Sequence, residues 1–204
     1  MDWDGNLAKT LDVWLEACRV PLQKRGLILT DNEIATCFGM PIQRFQEWGI
    51  DDVNEAIGEM DELAAKLLPE VELYPHAIIV LEELRNIGMK LALITTSLRK
   101  NAINLLDKYN MHQFFDAVVT YEDTVKHKPH PEPLEKALQQ LRGNAAQAVM
   151  IGDSDKDIGA AHNAGVDSIL YFPPSHTKFY RLDDLKQLHP TYIVDDLRQI
   201  LEIV

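Results

Sequence analysis

Gln147-Ala148-Val149-Met150-Ile151-Gly152-Asp153-Ser154-Asp155-Lys156-Asp157 is the stretch whose reading decides the fold. Gln147 and the four apolar residues after it read as a short buried strand. A glycine and an acid end it, and a helix running through His162 follows. The pattern repeats along the second half of the chain. Met89 to Ile94 is an apolar run ending in Thr95-Thr96-Ser97, and a helix from about Lys100 to Tyr109 follows it. Asp116 to Val119, Ser168 to Tyr171 and Tyr192 to Val194 read as further strands. Helices are expected from His76 to Ile87, closed by Gly88, from Pro129 to Leu141 with proline at its start, and from Leu197 to Ile203. Strands alternating with helices imply βαβ units and a parallel sheet covered on both faces.

From Leu7 to about Leu68 the chain is helical throughout. Leu11, Trp14, Leu15 and Cys18 fall on one stripe. Thr30 or Asp31 can cap a second helix, which Gly39-Met40-Pro41 ends. Ile42, Phe45 and Trp48 begin a third, stopped by Gly49, and a fourth runs from about Asp51 to Leu68. The reading is an α/β, Rossmann-like parallel core of residues 1–7 and 75–204 with an all-helical unit, 8–74, inserted.

The chain opens Met1-Asp2-Trp3-Asp4-Gly5-Asn6-Leu7. If it is extended, alternate residues point the same way, so Asp2 and Asp4 would aim at one point beyond the sheet. Like charges held that close require a cation or a shared proton. Gly5 lets the backbone turn or approach a ligand. In an open parallel sheet, ligands bind beyond the carboxyl ends of the strands. There the chain offers Asp2 and Asp4, then Thr95, Thr96 and Ser97, then Lys126, His127 and Lys128, then Gly152, Asp153, Ser154 and Asp157. Carboxylates, hydroxyls and a lysine at four strand ends look like one site for Mg2+ and phosphate.

Composition bounds the partners. The chain has 204 residues, 46% hydrophobic and 25% charged, with 20 Lys and Arg against 32 Asp and Glu, a net charge of -12. Nucleic acid and anionic membranes select basic surfaces, so neither is expected as a partner. A small anion remains compatible if a bound cation reverses the sign locally. Cys18 and Cys37 give no disulfide framework and no metal spacing, and read as small buried apolar residues. No apolar run is long enough to span a bilayer, and a cytoplasmic location is the default expectation. Oligomeric state is not legible.

Four motifs in order resemble those of the haloacid dehalogenase superfamily, in its branch with a helical cap inserted after the first motif, which includes phosphoglycolate phosphatases and β-phosphoglucomutases. Asp2-Trp3-Asp4-Gly5-Asn6 is similar to the family's Asp-x-Asp-Gly-Thr, and Ile94-Thr95-Thr96-Ser97 to its strand-ending Thr or Ser. Lys128-Pro129-His130-Pro131 is similar to its Lys-Pro-x-Pro. Ile151 to Asp157 resembles its Gly-Asp-Ser-x-x-Asp. The resemblance implies a Mg2+-dependent phosphatase acting on a small phosphorylated metabolite, phosphoglycolate-like or a sugar phosphate. Asp2 would be the nucleophile, forming an aspartyl-phosphate, and Asp4 the general acid and base. Thr95, the backbone amide of Thr96 and Lys128 would hold the phosphoryl group. Asp2, the backbone carbonyl of Asp4, and Asp153 would hold Mg2+, while Asp157 would orient Lys128, with Gly5 and Gly152 supporting the turns. Asp4 argues against the dehalogenases that name the family. The alternatives are a phosphomutase of the β-phosphoglucomutase kind and a non-catalytic binding protein on the same fold.

The family places a buried strand before its first Asp, and here only Met1 precedes Asp2. The expectation is therefore a slot between the strands ending at Ile94 and Ile151, with unpaired backbone groups at about 1–3 kcal/mol each. The nucleophile would sit on a frayed terminus and the natural start would lie upstream. Asn6, standing where Thr is usual, is expected to bond its own turn. His127 and His130 read as surface residues, Trp14 and Trp48 as core, and Arg25 and Arg44 as solvated, with a bidentate contact to a substrate carboxylate as the alternative.

Overall fold

A computed structural model describes the chain from Met1 to Val204. Apolar runs that end in polar residues become short parallel strands, because a strand buried on both faces needs apolar side chains pointing both ways. They are β1 (Ala92–Ile94), β2 (Ala117–Val119), β3 (Val149–Gly152), β4 (Asp167–Tyr171) and β5 (Tyr192–Val194). β1 pairs with β2, Leu93 opposite Val118, and β3-β4-β5 form a second parallel ladder with Ile151 opposite Ile169. Within β1, Leu93 joins one apolar cluster while Ala92 and Ile94 join another; Ile151 and Met150 divide in the same way. Core helices α5 (Ala77–Asn86), α6 (Arg99–Lys108), α7 (Glu132–Leu141), α8 (Asp155–Ala164) and α9 (Leu182–Lys186) connect the strands, and α7 and α8 cover one face.

The two ladders do not pair with each other, which is the slot anticipated between Ile94 and Ile151. Met1 and Asp2 bridge its upper end. The terminal ammonium donates to Ala92 O at 2.7 Å, Ile94 N donates to Met1 O at 2.9 Å, and Asp2 N donates to Ile151 O at 2.8 Å. Met1 is buried and its amine is pushed down to about 5 by burial. The expectation of a frayed terminus is therefore wrong: the backbone at Asp2 is held on both sides. The opening residues do not form a strand end, however. The chain bends at Trp3 and turns through Gly5, at φ +72°, so Asp2 and Asp4 diverge rather than sharing one pleat face.

Four helices intervene between this turn and α5: α1 (Leu11–Lys24), α2 (Asp31–Ala35), α3 (Pro41–Glu47) and α4 (Val53–Leu67). Thr30 caps α2 with Glu33 in a reciprocal box. The two crossings between helices and sheet run side by side: Lys9 N donates to Glu72 O at 2.9 Å, and Tyr74 N to Leu7 O at 2.9 Å. The stripe reading of α1 holds for Leu11, Leu15 and Cys18, which are buried; Trp14 packs against the same cluster, half-buried, while its Nε1 reaches Asp4. Two further expectations fail. Pro129 to Pro131 form a turn, and α7 begins only at Glu132; Leu197–Glu202 is a 3-10 helix.

His176, in a 3-10 turn after β4, is fully enclosed by Tyr74, Tyr171, Phe172, Phe179 and Tyr180, with Tyr74 Oη 2.8 Å from Nε2. Burial pushes its pKa down to about 3, against a weak opposing contact with the backbone of Tyr171. The imidazole is neutral in the fold and protonates in the unfolded chain below about pH 6.5. Its contribution is complete above that pH and lost as the pH falls toward 3. Between pH 7 and 4.5, wild type should lose about 2–3 kcal/mol relative to His176→Phe in urea unfolding. Parallel pH profiles for the two proteins would refute this.

Candidate active site

The carboxyl ends of β1 and β3 and the turn at Asp2 face a cavity of about 520 Å³ that extends to the helical unit. At its floor lies Lys128, buried, with its Nζ donating to Asp2 Oδ1 at 2.8 Å, to Asp157 Oδ1 at 2.6 Å and to Ile94 O at 3.2 Å. The other Asp157 oxygen accepts from Ser154 Oγ at 2.6 Å and Ser154 N at 3.2 Å, so α8 carries its own N-terminal cap and fixes the lysine at once. Gly152 is obligatory here: a Cβ would lie 2.3 Å from Asp157 Cγ.

Asp2, Asp153 and Asp157 are all buried, and one carboxylate oxygen from each lies within 4.8 Å of the others. Burial, then the neighbouring Asp157, pushes Asp2 up to about 7, with Lys128 opposing. Burial likewise raises Asp153 well above the usual carboxylate range. Asp157 ends below its ordinary value because Lys128 and Ser154 outweigh its burial. Lys128 stays charged because Asp157 and Asp2 outweigh its burial. Three acids face one ammonium, and Asp153 Oδ2 is a buried oxygen with no hydrogen-bond partner. Gly5 leaves room beside it, since a Cβ there would sit 2.3 Å from Asp153 Oδ2. A buried, all-oxygen donor set with excess negative charge fits a hard divalent cation.

Asp4 is turned from the lysine. Its Oδ1 accepts from Trp14 Nε1 at 2.8 Å, and its Oδ2 from Ser97 Oγ at 2.8 Å and Thr95 Oγ1 at 3.1 Å. Thr95 is thus directed at Asp4 and does not line the cavity, whereas Thr96 and Ser97 do. Asn6 departs from expectation too. It is fully buried, and neither side-chain oxygen nor nitrogen has a partner.

Residues read as bland from the sequence also reach the site. Trp14 is the indole donor to Asp4, and its position one turn from Cys18 on an apolar stripe concealed this. His127 is half-buried at the cavity wall, stacked on Tyr121 with ring centroids 4.0 Å apart, and burial lowers its pKa. His130 instead accepts the amide of Glu132 at the start of α7. Cys18 and Cys37 meet in the cavity wall with their sulfurs 3.0 Å apart. Gly39, at φ +77°, brings the helical unit against the core: a Cβ there would lie 3.2 Å from Thr96 Oγ1.

If the Trp14 indole positions Asp4, Trp14→Phe should lower kcat about tenfold on an alkyl phosphate, the value of one hydrogen bond to a charged group. The loss should be smaller on an aryl phosphate, whose phenolate leaves without a proton. Equal losses on the two substrates would refute the link to Asp4.

Together the parallel sheet, the helical insertion and the acid-lysine cluster at the strand ends define a Rossmann-like α/β core with a helical cap over a polar site. The family model for haloacid dehalogenase-like hydrolases matches residues 1–171, and the chain belongs to that family. Pyrophosphatase PpaX of Oceanobacillus iheyensis is 33% identical over 134 residues, 66% of this chain and 61% of that protein. The chain thus spans under two thirds of that relative's length. A relative from Caldanaerobacter subterraneus subsp. tengcongensis, described as a pyrophosphatase PpaX, is 31% identical over all of this chain and 92% of its own. Among solved structures, the haloacid dehalogenase-like hydrolase SP0104 of Streptococcus pneumoniae superposes with TM-score 0.82 at 25% identity, covering 99% of this chain and 95% of that one. The β-phosphoglucomutase of Clostridium difficile shares the fold, with TM-score 0.82 at 22% identity, 97% of this chain and 90% of its own. No helix is long and apolar enough to cross a membrane.

Proposed function

We propose that the chain is a Mg2+-dependent phosphatase of small phosphorylated molecules, working through an aspartyl-phosphate on Asp2. The observation that carries this reading is the buried Lys128 held between Asp2 and Asp157, with the unpartnered Asp153 oxygen alongside. A binding protein that had abandoned catalysis has no use for three buried acids around one lysine, an arrangement costly to keep. The relatives named pyrophosphatase cleave, by that name, the same kind of phosphorus–oxygen bond.

Asp2 attacks phosphorus and the ester oxygen departs, taking a proton from Asp4. Asp4 then removes a proton from water, which attacks the aspartyl-phosphate and releases phosphate, restoring Asp2. Lys128 offsets charge on Asp2 and on the transferring group, and Thr96 and Ser97 border the same space. Asp157 holds Lys128, and Thr95 and Trp14 hold Asp4. Asp2, Asp153 and the main chain at Asp4 would hold Mg2+, which when bound supplies charge neutralisation at the phosphoryl oxygens. Rate then derives from in-line positioning and fixed charge. The helical unit, drawn as residues 8–74, closes over the leaving group.

Phosphate release from an aryl phosphate should require Mg2+, stop on adding chelator and resume when Mg2+ is restored. Release that ignores the chelator would refute the metal assignment. No release with Mg2+ present would favour a binding protein.

A further inference from the structure

We infer that the substrate is the phosphate monoester of a neutral, largely apolar alcohol or phenol, a conclusion that rests on the phosphatase reading above. The cavity beyond the acids is walled by Trp14, Phe38, Met40, Ile57 and Met60 of the helical unit, with Ile42 half-exposed at its rim. No Lys or Arg of that unit lines it. Each of its arginines is engaged elsewhere. Arg19 pairs with Asp31 at 2.7 Å, and Arg25 forks onto Asp52 at 2.6 and 2.7 Å and reaches Glu59 at 3.1 Å. Arg44 pairs with Glu47 at 2.7 Å. The one charged side chain of the unit in that lining is an acid, Asp61.

On the core side, Lys128 is saturated by its two carboxylates, and Lys156, which lines the cavity at the seam with Gly39, is paired with Asp155 at 3.3 Å. Burial lowers the His127 pKa and so favours its neutral form. A leaving group bearing a carboxylate or a second phosphate would therefore lose its water against thioethers and aromatic rings and find no unpaired cation in exchange. An apolar leaving group gains from the same surface, and the neutral amides of Gln43, Gln46 and Asn101 suit an uncharged polar atom on it. Charge on the leaving group, more than its size, thus sets the selection.

The test compares kcat/KM of the full chain with Mg2+ on 2-phenylethyl phosphate, phosphoglycolate, ribose 5-phosphate and inorganic pyrophosphate. Phenylethyl phosphate and phosphoglycolate both release alkyl oxygens, so their ratio reports the pocket. We expect phenylethyl phosphate to exceed phosphoglycolate and pyrophosphate by about tenfold or more, the scale on which apolar pockets discriminate, and to exceed ribose 5-phosphate by a smaller factor. Ile42→Arg, at a half-exposed position that tolerates the change, should lower that ratio about fivefold or more by supplying a cation. Equal or better turnover of phosphoglycolate or pyrophosphate, or an unchanged ratio in Ile42→Arg, would overturn the inference while leaving the phosphatase reading intact. No phosphate from any of the four would overturn both.

Discussion

Asp2→Asn should abolish turnover, by about 10⁴-fold or more, while the protein stays folded. The amide cannot form an acyl-phosphate, so the reaction loses its covalent route and not merely a contact. Folding should survive for reasons visible around the residue. The Asp2 backbone is held by Ile151 O, and Lys128 keeps Asp157 and Ile94 O when Asp2 loses its charge. The substitution also removes one of three crowded acids, two of which are held above the ordinary carboxylate range by burial and by repulsion from Asp157. Melting temperature in the absence of Mg2+ should therefore be unchanged or raised, and the stabilisation that Mg2+ adds should shrink, since one donor of the cation becomes a neutral amide. Steady-state phosphate release and thermal melts with and without Mg2+ measure all three. Turnover near wild type would place the nucleophile elsewhere.

The legible part of this molecule is the part written locally. Leu91 to Ile94 and Val149 to Ile151 are short apolar runs that stop at Thr95 and Gly152. A strand buried on both faces must look like that, so the strand ends and the acids following them could be placed from composition and turn chemistry alone. The capping residue Thr30 was readable for the same reason. What escaped reading depends on the path of the chain through space. Trp14 fits an apolar stripe as well as any core residue, and only the docking of α1 over the Asp4 turn makes it a hydrogen-bond donor to a carboxylate. Cys18 and Cys37 have no meaningful spacing until α1 meets the turn after α2. The alternation of Asp2 and Asp4 suggested a shared face. The bend at Trp3 instead separates them, one toward Lys128 and the other toward Trp14 and Ser97. His176 carried no signal at all, because its cage is assembled from residues between 74 and 180.

Lys128→Met tests the electrostatic frame rather than the covalent step, and its effects should be large on stability as well as on rate. The ammonium lies between Asp2 and Asp157 with 4% of its side chain exposed. Met replaces the stem but not the charge, leaving three buried acids with no cation among them. Breaking a buried pair by removing one partner costs about 3–5 kcal/mol, and turnover should fall to background because nothing then offsets charge on Asp2 or on the phosphoryl group. The loss should depend on pH in a defined sense. Without Lys128, Asp2 and Asp153 rise further above their unfolded values and Asp157 loses the partner that holds it below its own, so the fold favours their protonated forms. Stability is then retained at low pH and lost as the pH rises through the elevated range. The gap between variant and wild type should accordingly narrow from pH 8 to pH 5. Mg2+ should stabilise Lys128→Met more than wild type, since the uncompensated acids attract it more strongly. Adding Asp157→Asn to Lys128→Met should recover part of the lost stability without recovering turnover, because one buried charge disappears and the missing cation does not return. Urea unfolding of wild type, the single and the double variant at pH 5 and 8 measures these terms. A pH-independent gap, or a double variant less stable than Lys128→Met, would mean that Lys128 fills space instead of balancing charge.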